Sequence, residues 1–430
     1  MSKDKTVYIV DGSRTPYLKA RGKPGNFTAG DLAVAAGKPL LMRHHFALEA
    51  ISEVILGCVM PGADEANIGR VAALKLGIPE SVPAWTVQRN CASGMQAVDC
   101  AFRNIRSGLS DIVLAGGVES MSHAPVLYND MMVNWLSHFM MSKTVAQKLK
   151  TITRLRPSHF KPVIALIKGL SDPIVGLSMG QTAENIAQRF NISRQQMDEF
   201  AVQSHQRLAF AIDNHHLDEV ETIYDNHGHF YDQDDGLRRD SNEKALANLR
   251  PVFDKKFGLV TAGNSAQITD GACWILLASA QAVKKHKLPV LAKISDSEWA
   301  GLDPAVMGMG PAHAMAPLLQ RNQLTVNDVD YWEINEAFAA QVLGCRAAWM
   351  DEDYCKHQLG LDSSLGEIPA DKLNVDGGGV SLGHPVGSSG ARIILHLAKT
   401  LERNNAAKGI ASLCIGGGQG GAMLIEREAN

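Results

Sequence analysis

Cys91 stands between a stretch of strand character and a run that opens a helix at Ala92. A thiol at a helix N-terminus feels the positive end of the dipole, which favours thiolate. Asn90 and Gly94 suit a tight turn and close approach of a substrate. The plain alternative is a small buried cysteine, the common fate of a free thiol. His384 lies in Gly383-His384-Pro385-Val386-Gly387-Ser388-Ser389-Gly390, where small and rigid residues surround one imidazole. Such a loop either holds a histidine against a ligand or is a structural turn with an incidental histidine. Cys414 precedes Ile415-Gly416-Gly417-Gly418, and a strand ending in glycines exposes N–H groups that stabilise an oxyanion. A buried strand cysteine before a flexible turn would look the same. Asn335, after a strand and before a helix, is accounted for by capping, or else it holds a water or a carbonyl. Together these residues form an activatable thiol, a histidine, a second thiol and oxyanion donors. That set suits acyl transfer through a thioester. Hydrolysis by a Cys–His pair would need no second cysteine.

The elements that must position these groups alternate between strand and helix. Val7–Val10, Val54–Met60, Trp85–Gln88 and Ile112–Ala115 read as strands, the last closed by Gly116-Gly117. Ala29–Met42 and Ala92–Arg106 carry helical periodicity. Later, Val329–Ile334, Ile410–Cys414 and Met423–Glu426 read as strands, and Ala337–Trp349 and Ala391–Arg403 as helices. Alternation of this kind implies parallel β-α-β units. Between about 122 and 250 the chain is helical and irregular, which points to an inserted lobe. The pattern Cys91–Gly94, helix, strand, Gly116-Gly117 recurs as Gly387–Gly390, helix, strand, Gly416–Gly418. The echo suggests two duplicated domains packed face to face.

A chain of 430 residues implies two or three domains, and 45% hydrophobic with 20% charged residues is ordinary for a globular protein. The net charge of −3 argues against nucleic-acid binding by electrostatics. The seven cysteines show no C-x-x-C pair and no Cys/His metal spacing, so reduced thiols in a cytoplasmic setting are expected, with no metal. The polar lead from Met1 to Thr6 carries no secretory signal, no apolar run is long enough to span a bilayer, and the Glu-Ala-Asn end is no peroxisomal address.

The chain closely resembles the thiolase family. Asn90–Met95, GGVESMS at Gly116–Ser122, MGQTAE at Met179–Glu184 and LRPVFD at Leu249–Asp254 match in order. VTAGN at Val260–Asn264, MGMGP at Met307–Pro311, NEAFA at Asn335–Ala339, GHPVGSSG at Gly383–Gly390 and CIGGGQG at Cys414–Gly420 follow. The resemblance implies the thiolase fold: two duplicated α/β domains in a layered αβαβα core with an inserted CoA-binding loop domain. The domains are expected at 1–121 (completed by about 251–290), 122–250 for the loop domain, and 291–430. It further implies that Cys91 is the acyl-accepting nucleophile, and that His384 activates it and donates to one oxyanion hole. Asn335 would hold a water completing that hole, Cys414 would be the acid/base at C2, and the N–H groups of Cys91 and Gly416 would form the second hole. No permanent cofactor is expected, with coenzyme A as substrate. Near it the resemblance places Leu170, Met179, Arg238, Phe253, Ala262 and Ser265, with Met307 and Phe338 at the reactive end. Ser178 replaces a usual histidine, and Ser265-Ala266 replaces the usual Ala-Ser order. Loop length leaves Arg238 and Arg239 both open. The implied reaction is thiolysis of a 3-ketoacyl-CoA in fatty-acid β-oxidation, or acetoacetyl-CoA synthesis in reverse, by a homodimer or homotetramer. Decarboxylating ketoacyl synthases share the fold, but they pair their cysteine with two histidines or a histidine and an asparagine; the C-x-G-G-G-x-G end argues against them.

Between Asp130 and Asp172 there is no acidic residue, while Lys143, Lys148, Lys150, Arg154, Arg156, Lys161 and Lys168 interleave with Met, Trp and Phe. One or two basic amphipathic helices are expected, suited to a membrane surface or a partner protein, or packed on the core with a solvated basic face. This stretch and about Asp351–Lys372 resemble extensions in the thiolase subunit of fatty-acid-oxidation complexes, whose partner carries hydratase and dehydrogenase activities.

Overall fold

The computed structural model describes residues 5–427. The expectations for most of the N-terminal lead and for Glu428-Ala429-Asn430 fall outside the described residues. Strands β1 (Val7–Arg14), β2 (Glu53–Gly57), β3 (Ala84–Val87), β4 (Ile112–Ser120) and β5 (Thr269–Ser279) make the first half of a sheet. β3, β2 and β4 run parallel; β5 is antiparallel to both β4 and β1. Helices α1 (Ala29–Met42) and α2 (Ser93–Ser107) cover its two faces. α1 starts on a capping box made by Thr28 and Asp31.

The intervening segment holds α3 (Asp130–Met141), α4 (Val145–Ile152) and α5 (Met179–Arg189), with two small two-stranded ribbons. The second half repeats the first. Strands β6 (Ala292–Gly301), β7 (Tyr331–Ile334), β8 (Lys408–Ile415) and β9 (Gln419–Glu426) pair in the same pattern. β7 is parallel to β8, and β9 is antiparallel to β8 and β6. Its helices are α6 (Gly310–Arg321), α7 (Ala339–Met350) and α8 (Val386–Arg403). The halves join where β1 meets β6, Val7 opposite Ile294 and Ile9 opposite Ala292.

The strands are buried on both faces, and their alternate residues enter different cores. Cys273, Ile275 and Leu277 of β5 face the central core with α2 and α8; Trp274 and Leu276 face α1. The third core packs α6 and α7 on the other side of the second half. The order is therefore α, β, α, β, α. The two central helices touch through glycine: a Cβ on Gly390 would lie 2.5 Å from the Met95 nitrogen, and one on Gly94 2.8 Å from the Gly387 oxygen. This is the duplication heard in the sequence, and it places the Cys91 and His384 segments side by side.

Three local expectations need correction. β4 does not close at Gly116-Gly117 but runs through them to Ser120, because Gly116 and Gly117 sit where β5 and the start of α8 leave no room for a Cβ. α8 begins at Val386 rather than Ala391, since Pro385 sets the N-cap and Gly387–Gly390 already form helix. α7 begins at Ala339 with Phe338 in the cap position, so Asn335 caps nothing. The expected basic amphipathic character is carried chiefly by α4, where Lys148 and Lys150 stand beside Val145, Leu149 and Ile152. α3 carries the Met, Trp and Phe, while the lysines and arginines sit on α4, the short helix Ala165–Gly169 and the connectors. α3 and α4 still meet, Trp135 Nε1 donating to the Thr151 carbonyl at 2.8 Å. The Asp351–Lys372 stretch packs inward, burying Tyr354, Cys355 and Leu361. Among the described residues no helix is long and apolar enough to cross a membrane.

Candidate active site

An apolar cavity of about 740 Å³ opens where the two halves and the intervening segment meet. Cys91, His384 and Cys414 all line it, although they come from three distant parts of the chain. Leu170, Met179, Arg238, Phe253, Ala262, Ser265, Met307 and Phe338 line it too. Arg238, not Arg239, faces the cavity; Arg239 pairs with Asp213 on the surface. Ser178 caps α5 and reaches the same wall, and the Ser265 hydroxyl donates to the Thr261 carbonyl at 2.7 Å. Asn335 and Gly416 are not among the lining residues, but the Asn335 amide reaches His384 and the Gly416 N–H reaches Cys91.

Cys91 precedes α2 by two residues. Burial pushes its thiol up to about 11, against hydrogen bonds from the Gly416 N–H and its own N–H that pull it down. Burial thus opposes the thiolate that a helix terminus favours. Burial, with the nearby Arg392 charge, pushes His384 down to about 4. At neutral pH the pair is a neutral thiol and a neutral imidazole, and the imidazole can take the thiol proton.

Which ring nitrogen is free follows from the hydrogen bonds. His384 Nδ1 lies 2.6 Å from Ser389 Oγ, and Ser389 donates its own proton to the Pro385 carbonyl at 3.1 Å. Ser389 then accepts from Nδ1–H, which leaves Nε2 as the acceptor. The Asn335 amide nitrogen sits 3.4–3.5 Å from both ring nitrogens, and its oxygen is buried with no protein partner. An orphaned buried acceptor beside the imidazole is a natural seat for one water. Cys414, fully buried on β8, has its thiol held well above its ordinary value, by burial first and then by the neighbouring Cys91 and Cys345. It stays protonated and can act as an acid.

Sequence reasoning missed what several supporting residues hold in place. Asn90 adopts φ 44° and donates from Nδ2 to the Gly416 carbonyl at 2.8 Å, so it ties the Cys91 turn to the Cys414 turn. An asparagine next to the thiol, a residue type that tolerates positive φ, was the available signal. Gly417 and Gly418 take φ 92° and 76°, which turns the chain back into β9 and leaves the Gly416 N–H facing Cys91. Ser389 and the buried carboxylate Glu119 were quoted only as parts of motifs. Burial pushes Glu119 up to about 7 despite three backbone N–H donors. Among the described residues no group of three or more His, Cys, Asp or Glu could hold a metal.

The models of the thiolase N-terminal and C-terminal domains match residues 7–281 and 288–427. A 3-ketoacyl-CoA thiolase of Aeromonas hydrophila is 38% identical over 98% of this chain and 100% of its own. The mitochondrial trifunctional enzyme subunit beta of Bos taurus is 33% identical over 98% of this chain and 88% of its own. The crystal structure of the Bacillus anthracis acetyl-CoA acetyltransferase superposes with a TM-score of 0.85 at 36% identity, covering 99% of this chain and 100% of that one. With both domain models matched and near-complete coverage of such relatives, this chain belongs to the thiolase family, an acyltransferase family that uses CoA as substrate.

Proposed function

We propose that the chain cleaves 3-ketoacyl-CoA to acetyl-CoA and a shortened acyl-CoA, through an acyl group on Cys91, as in fatty-acid β-oxidation. The observation that carries this is the meeting of Cys91, His384 and Cys414 in one large apolar cavity. His384 takes the Cys91 proton and the sulfur attacks the C3 ketone. The tetrahedral oxyanion is held by the N–H groups of Cys91 and Gly416. The C2–C3 bond then breaks, and the acetyl-CoA enolate oxygen lies against His384, now protonated, and a water on Asn335. Cys414 gives its proton to C2. Its thiolate takes the proton of an incoming CoA, whose sulfur accepts the acyl group. His384 returns its proton to Cys91, and the enzyme is restored.

Leu170, Met179, Arg238, Phe253, Ala262 and Ser265 would hold CoA, with Met307 and Phe338 beside the reacting carbons. Thiolysis rates across a ladder of 3-ketoacyl-CoA chain lengths, beside acetyl-CoA condensation, test the reading. Turnover of medium and long chains is expected. Activity confined to acetoacetyl-CoA would assign the acetyl-CoA C-acetyltransferase reaction instead. No turnover in either direction would overturn both.

The 131–168 segment carries a second reading, docking to an anionic membrane surface. Met140, Met141, Val145, Leu149 and Phe160 are exposed large apolar side chains. Among the described residues none of the seven lysines and arginines pairs with a carboxylate. Such one-sided charge is self-repulsive unless an anionic surface compensates it. Reversing Lys148, Lys150, Arg154 and Arg156 to glutamate should abolish salt-sensitive sedimentation with phosphatidylserine vesicles and leave the CoA Michaelis constant unchanged. Parental vesicle binding with a collapsed CoA affinity would place the segment in the CoA site. Failure of the parent to bind vesicles, with capture of a hydratase/dehydrogenase subunit, would make it a protein interface.

A further inference from the structure

His384 sits on a short span of chain whose two ends are fastened by different buried carboxylates. Four residues before it, the Val380 N–H donates to Glu336 Oε2 at 3.2 Å. Three residues after it, the Gly387 N–H donates to Glu119 Oε2 at 3.1 Å. Neither side chain is more than 1% exposed. Each carboxylate also reaches outward to another element. Glu119 takes the N–H groups of Val59 at 2.9 Å and Met60 at 3.0 Å, in the turn after β2. Glu336 takes the Ser204 hydroxyl at 2.7 Å and the Asn374 amide at 2.9 Å. Glu336 adjoins Asn335 in sequence, so the same anchor fixes the amide beside the imidazole.

The chain makes room for both carboxylates with glycine. A Cβ on Gly387 would lie 2.7 Å from Glu119 Oε2, and one on Gly378 2.4 Å from the Glu336 carboxyl carbon. Burying two carboxylates is costly unless their lone pairs are filled. A fold that needed only stability would do as well with apolar packing here. The bonds run instead to the two ends of the histidine span. The proposed chemistry gives neither carboxylate a step, and neither lines the cavity.

We propose that Glu119 and Glu336 are positioning residues for His384, a pair of buried clamps that hold its Nε2 toward Cys91. The proposal rests on His384 acting as the base for Cys91, as set out above. An imidazole held within about 1 Å of its productive place matters because a misplacement of that size costs on the order of a hundredfold.

The test reads the alkylation rate of Cys91 by iodoacetamide at pH 7.5, followed by mass spectrometry, which needs no turnover. Glu119→Gln and Glu336→Gln each turn one carboxylate oxygen into an NH₂ facing donors. Each is expected to slow Cys91 alkylation at least tenfold and to lower kcat with an unchanged CoA KM. In a His384→Ala background the same substitutions should slow alkylation no further, because they act through the imidazole. Additive slowing in that background would overturn the proposal. So would a lowered melting temperature with parental alkylation and kcat, or failure of both variants to fold, either of which would assign the carboxylates to stability alone. If His384→Ala itself left alkylation unchanged, the fault would lie with His384 as the base rather than with the clamps.

Discussion

Cys91→Ser is expected to remove thiolysis and condensation together, lowering kcat by about ten-thousandfold or more, the scale at which a lost nucleophile is felt. The fold should survive, since the side chain differs by one atom and sits at the cavity wall. The reason lies in the proton inventory. The Cys91 thiol, pushed up to about 11, is un-ionised at neutral pH, but His384, pushed down to about 4, is free to accept its proton. A serine hydroxyl in the same place is far more reluctant to give one up. The same pair sets the pH dependence. Above about 4 the imidazole is neutral and competent; as pH falls through that value the base is protonated and the rate drops. The kcat/KM profile should therefore show no histidine limb through the neutral range and fall only on the strongly acid side, while Cys91 alkylation rises with pH as the thiolate fraction grows toward about 11. Near-parental turnover in the serine variant would remove the proposed mechanism. An acid limb near the ordinary histidine value would show that His384 is solvated during the reaction.

How much of this could be read from residues alone depends on what each residue has to do locally. The α/β alternation, α1 and the duplication of the Gly-rich segments were legible, because glycines and apolar periodicity act over a few residues. The corrected boundaries fail for one reason. Gly116, Gly117 and Gly387–Gly390 look like punctuation, yet here they are small residues inside a strand and a helix that must approach closely. Asn335 looked like a cap for the same reason; its partner, His384, is 49 residues away. The burial that pushes the Cys91 thiol up is a property of the assembled cavity, whereas a helix-terminus argument sees only the local dipole. What Asn90 and Glu119 anchor could not be read, since their partners Gly416 and Gly387 come from the other half of the molecule.

Cys414→Ala should separate the two halves of the chemistry. The variant keeps Cys91, His384 and the Gly416 N–H, so a reactive thioester should still acylate Cys91. What it loses is the group that, in the proposed reaction, delivers a proton to C2 in cleavage and removes one in condensation. Its thiol lies fully buried on β8 and is held protonated by burial and by the neighbouring Cys91 and Cys345. That is the wrong state for a resting base but the right one for an acid that meets a carbanion. Once it has protonated the enolate, it becomes the base that the incoming CoA thiol needs. Removing a positioned acid/base group costs about 10²–10⁴-fold. Thiolysis should fall by that factor, while the acyl-Cys91 adduct formed from a reactive thioester remains detectable by mass spectrometry. Exchange of the acetyl-CoA methyl protons with deuterated water is the sharper measurement, because it isolates the step at C2. That exchange should vanish in the variant. If it proceeds at the parental rate, the proton moves through another group. His384, whose Nε2 carries no proton and which lines the same cavity, would then be the acid and base for both steps.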